Sequence, residues 1–60
     1  MGDETRIVAI AGQTVVIAYD QEAGVWYVHS SAVHGLTGEG VSVEGLIEEL
    51  RVTVRTLGLP

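Results

Sequence analysis

The sequence predicts an α+β fold: a three- or four-stranded antiparallel sheet with one helix packed on one face, in the order β-β-β-(β)-α. Three observations lead there. β-branched runs separated by Gly-containing turns occupy the first half of the chain, and an amphipathic helical pattern occupies the last third. The 60 residues, read as one unit over 1–60, leave room for a single domain.

The first apolar run is Arg6 to Ala11 (Arg-Ile-Val-Ala-Ile-Ala), and Thr14 to Tyr19 (Thr-Val-Val-Ile-Ala-Tyr) is the second. Gly12-Gln13 between them suits a type II′ hairpin, with Gly supplying positive φ at the first central position. One long strand bulged at Gly12 also fits; the hairpin is preferred. Asp20-Gln21-Glu22-Ala23-Gly24 is a polar turn ending in Gly, and it leads to the strand Val25–His29. Alternation puts Trp26 and Val28 on one face of that strand and Val25, Tyr27 and His29 on the other.

Ser30 to Gly40 is loop-like, with Leu36-Thr37 as a candidate short strand. The period then changes. Val43, Leu46, Ile47, Leu50, Val54 and Leu57 recur at helical spacing, with charged residues largely between them. Ser42 is placed to cap the helix, Glu44 suits its positive end and Arg55 its negative end. Glu48 and Arg51 are spaced to pair, and Gly58 and Pro60 mark the stop. The predicted core is Ile17, Trp26, Val28, Leu46, Ile47, Leu50, Val54 and Leu57.

The strands Val15–Tyr19 and Val25–Val28 are apolar on both faces, whereas one helix covers only one face. The second face or a sheet edge is therefore expected to be covered by another copy, as a homodimer, or by another protein. Size argues the same way. A domain this short buries only about 60% of its unfolded surface, and the absence of Cys excludes a disulfide staple.

Three Lys plus Arg against eight Asp plus Glu give a net charge of −5. That balance opposes direct nucleic-acid binding and favours a basic partner. No stretch approaches a membrane span. The acidic start, Met1 to Thr5, is unlike a secretory signal, so a cytoplasmic location is expected.

Constellations that carry chemistry are weak. Asp20, Glu22 and His29 are a thin basis for a divalent-metal hydrolase, because carboxylates are common in solvated turns. His29 and His34 lack a third ligand nearby in sequence. Ser30 and Ser31 beside these His have no orienting acid. Gly35-Leu36-Thr37-Gly38-Glu39-Gly40 lacks the Lys of a phosphate cradle, and Glu39 would repel phosphate. The expectation is a non-enzymatic protein with no metal and no cofactor. Its candidate partner-binding residues are Asp20, Glu22, Tyr27, His29, His34, Glu44 and Glu48.

Three segments carry a resemblance. Tyr19-Asp20-Gln21-Glu22-Ala23-Gly24-Val25-Trp26, Val33-His34-Gly35-Leu36 and Gly38-Glu39-Gly40-Val41-Ser42-Val43-Glu44-Gly45-Leu46 together resemble the HicB-like antitoxins. The resemblance spans roughly Thr14 to Leu57. It implies a partial RNase H-like β-β-β-α unit without the nuclease's catalytic carboxylates. It also implies a role in neutralising a small basic mRNA-cleaving toxin by occluding its active site. Asp20, Glu22, Trp26, Gly35, Ser42 and Glu44 match the family pattern, chiefly as fold-defining positions. His34 stands where the family has Pro, and Gly45 where a Glu would complete a capping box with Ser42. Typical antitoxins continue into a DNA-binding domain past the position of Leu57, so operon repression is not expected of this chain by itself.

Overall fold

The computed structural model describes residues 4–57. Four strands and one helix follow in the order β1 (Thr5–Ile10), β2 (Gln13–Asp20), β3 (Val25–Ser31), β4 (Glu39–Gly40) and α1 (Val43–Thr56). The strands form one antiparallel sheet in the spatial order β1-β2-β3-β4. The α+β architecture is the one the sequence predicts.

β1 and β2 form a hairpin, with Ile10 paired to Gln13. Its loop is Ala11-Gly12, one residue earlier than predicted. Both loop residues have positive φ, at 51° and 80°, which marks a type I′ turn and not type II′. The type I′ twist matches that of the flanking strands, so Ala11 is held in the left-handed region despite its Cβ.

The β2–β3 turn is closed by Asp20. Its Oδ1 accepts the backbone N–H groups of Glu22 and Ala23 at 3.0 and 3.2 Å. Its carbonyl accepts the Gly24 N–H at 2.7 Å, an i→i+4 closure. Further along, Val16 faces Ser30 but Ile17 faces Val28, which leaves His29 as the extra residue of a β-bulge. The bulge resets the alternation, so Ser31 rather than Ser30 pairs opposite Val15.

The fourth strand is Glu39–Gly40, not Leu36-Thr37. Leu36 instead turns inward with Val33 and is buried in the core. The Val33 N–H bonds to Ser31 Oγ at 2.9 Å, which tightens the loop where it leaves β3.

Ser42 caps α1 as predicted, its Oγ accepting the Gly45 N–H at 3.0 Å. Within the β-branched stretch near the helix end, Thr53 Oγ1 donates to the Glu49 carbonyl at 3.0 Å. Leu57 is the C-cap, and Gly58 and Pro60, the predicted stop, lie outside the described residues. Glu48 and Arg51 form no ion pair; the bridge among the described residues joins Arg6 and Glu4.

The helix lies over β1, β3 and β4. Its Leu46, Leu50 and Val54 are buried against Ile10, Val15, Ile17, Trp26, Val33 and Leu36. Val28 and Ile47, predicted as core, are half-buried and pack against this cluster. Leu57 is a correction: it is 51% exposed. Val54 already lies beside Ala11 at the end of the first hairpin, and the C-cap residue extends past that support.

Candidate interaction surface

Strand alternation sorts the sheet into two faces. Val8, Ile10, Val15, Ile17, Tyr19, Trp26 and Val28 face the helix side. Tyr19 and Trp26 are cross-strand partners with ring centroids 5.3 Å apart, and the Arg6 guanidinium lies 5.4 Å from the Trp26 ring centre. That cation–π contact lays the Arg6 guanidinium over the indole at the sheet's core face.

The opposite face carries Thr5, Ile7, Ala9, Thr14, Val16, Ala18, Val25 and Tyr27, and no described element lies across it. Ile7 is 75% exposed. Val16, Val25 and Tyr27 are half-buried, and Ala18, flanked in the ladder by Thr5 and Tyr27, is buried. The face is apolar at its centre, with the hydroxyls of Thr5, Thr14 and Tyr27 and, opposite Val25 and Tyr27, the carboxylates of Asp20 and Glu39 at its border. Reading apolar residues on both sides of the strands locates this surface, but the predicted residues on it do not include Ile7, a large apolar side chain that stands exposed there. The signal for Ile7 was present in the alternation of Arg6, Val8 and Ile10 against Ile7 and Ala9.

The predicted partner-binding residues are spread over the molecule. Asp20 and Glu22 lie in the β2–β3 turn, where Asp20 holds the turn backbone and Glu22 is exposed. Tyr27 belongs to the open face. His29 is exposed at the bulge, and His34 is exposed in the β3–β4 loop. Glu44 and Glu48 are exposed on α1, across the sheet from Tyr27. Asp20 and Glu22 are therefore neighbours, whereas the helix acids and Tyr27 occupy different sides.

The Gly-rich segment before α1 has a packing explanation. A Cβ at Gly40 would stand 3.0 Å from the Leu46 backbone nitrogen and 3.3 Å from its Cα. β4 passes directly against the first turn of the helix, and only Gly fits between. Among the described residues, no three His, Asp or Glu side chains are grouped to hold a metal ion. A shallow depression lies between Ala11, Arg51, Val54 and Arg55. No described helix is long and apolar enough to cross a membrane.

The sequence profile of a domain of unknown function, DUF1902, matches residues 13–58. The chain belongs to the DUF1902 family. The match takes in β2, β3, β4 and α1, so the helix, its cap and the Gly40 contact all lie within the DUF1902 region, whereas β1 precedes it. No curated protein and no solved structure matches this DUF1902 chain.

Proposed function

We propose that this DUF1902 domain is a non-catalytic protein-interaction module of the HicB-like antitoxin type, which binds and occludes a small basic mRNA-cleaving toxin in the cytoplasm. The observation that carries the reading is the helix. α1 turns Glu44, Glu48 and Glu49 to solvent on an acidic chain of net charge −5, a surface suited to a basic partner. The β-β-β-β-α order and the polar Asp20–Gly24 turn agree with the antitoxin resemblance, which runs through nearly the same residues as the DUF1902 match.

The test is affinity capture of partners with a tagged chain at low ionic strength, where exposed charge contacts are least screened. The expected result is co-purification of a small basic ribonuclease whose RNA cleavage stops when this protein is added. Failure of the captured proteins to include any ribonuclease that it inhibits would refute the toxin reading.

A second reading is a self-associating domain with no toxin partner. It is favoured by the open apolar face and by the 75% exposure of Ile7.

A further inference from the structure

β1 lies at one edge of the sheet, with β2 on its inner side. The Tyr19 N–H donates to the Glu4 carbonyl directly opposite, at 2.9 Å. In an antiparallel ladder, bonded and non-bonded pairs alternate. Arg6, Val8 and Ile10 therefore direct their backbone groups to β2, and Thr5, Ile7 and Ala9 direct theirs outward from the sheet. No described strand pairs with that edge.

Edge strands are normally guarded by Lys, Pro, a bulge or an inward charge. β1 has neither Lys nor Pro, and its pairing with β2 is regular from Thr5 to Ile10. Arg6 is an inward-facing charge, but it is held on the helix side, over the Trp26 ring and bridged to Glu4 at 3.3 Å. The outward-bonding residues are also the ones whose side chains stand on the open face, and they are uncharged.

We propose that two copies join through β1 in an antiparallel pair centred on Ile7, fusing the two sheets into one. This rests on the self-association reading and is independent of the toxin reading. With Ile7 opposite Ile7, Thr5 falls opposite Ala9 of the second copy, and each of these pairs exchanges two backbone hydrogen bonds. Every outward N–H and C=O of β1 finds a partner. The two-fold axis runs perpendicular to the sheet, so both helices lie on one side and the two open faces merge on the other.

Charge selects this orientation. One end of β1 follows Glu4, close to the Asp20 and Glu22 turn. The other ends at Ala11, beside Arg51 and Arg55, which form no ion pair among the described residues. Antiparallel pairing sets Glu4 opposite Ile10 of the second copy, next to that copy's Ala11 and its arginines. Unlike ends meet, in a chain whose net charge would otherwise keep copies apart.

The experiment is sedimentation velocity of the full chain over a concentration series, with Ile7→Lys as the disrupting variant and circular dichroism as the fold control. Two cysteine variants report the register in a chain that has no Cys. Ile7→Cys places two thiols directly opposite one another at a Cα separation of about 5.5 Å, within disulfide range. Val41→Cys, at a position 82% exposed in the turn before α1, is the control. The expected result is a dimer for the native chain, a folded monomer for Ile7→Lys, and oxidative cross-linking of Ile7→Cys only. A native chain that stays monomeric, a dimeric Ile7→Lys, or equal cross-linking of the two cysteine variants would overturn the proposal. A monomer that still captures and inhibits a ribonuclease would leave the toxin reading standing without it.

Discussion

Ala11 stands at φ 51° in the first hairpin loop, followed by Gly12 at 80°. Left-handed backbone costs most residues about 1–2 kcal/mol, and Asn is among the few that visit it readily. Ala11→Asn creates the Asn-Gly pair that type I′ loops prefer. It is expected to stabilise the domain by about 0.5–1 kcal/mol, seen as a higher urea midpoint with an unchanged slope. Gly40 is the opposite case, a residue that tolerates no addition. The atoms a Cβ would meet at 3.0 and 3.3 Å are helix backbone, which cannot rotate away. Gly40→Ala is expected to cost about 1–3 kcal/mol in the same measurement. Gly12 was legible in the sequence as a turn residue, but which neighbour shared the loop was not. A one-residue shift alters no composition, and strand register decides it. The reason for Gly40 was likewise hidden, because the close approach involves Leu46, a residue of a different element.

The helix was the most legible element. Its cap at Ser42 and its buried stripe of Leu46, Leu50 and Val54 follow from spacing and capping chemistry, both local properties. Leu50 sits in the middle of that stripe with no exposed surface. Leu50→Asp forces a carboxylate into an apolar cluster with no partner, a larger penalty than a domain of this size can absorb. The expected outcome is loss of the cooperative unfolding transition; a variant retaining native helicity and a sigmoidal melt would contradict the packing of α1. Leu57 obeyed the same spacing and is nevertheless exposed. Periodicity specifies an azimuth around the helix axis and says nothing of where the supporting sheet stops. β4 shows a related limit. Two residues carry no period, so Glu39–Gly40 becomes a strand only through pairing with Trp26 and Tyr27. Leu36-Thr37 was the better local candidate for a strand, but Leu36 is used to fill the core.

At the scale of the whole molecule, one helix covers one face of a sheet whose other face remains apolar, and the free edge of β1 adjoins that open face. A domain stabilised by self-pairing melts at a temperature that rises with protein concentration, because only the folded form binds a second copy. Thermal scans of the native chain across a wide concentration range are expected to show that rise, and Ile7→Lys is expected to abolish it. Of the candidate partner-binding residues, the acids of α1 were legible as exposed because they occupy the polar arc of an amphipathic pattern. Their separation from Tyr27 was not legible, since two elements far apart in sequence reveal which side of a sheet they share only once they are packed. The sequence by itself determined the order of elements, the cap, the apolar stripe of α1 and the apolar character of both sheet faces, because each depends on neighbours within a turn or a strand. Only the tertiary structure decided the Ala11-Gly12 loop, the bulge at His29, the inward turn of Leu36 and the outward hydrogen-bonding groups of Thr5, Ile7 and Ala9. Those features depend on register and on contact between distant segments, which local pattern leaves open.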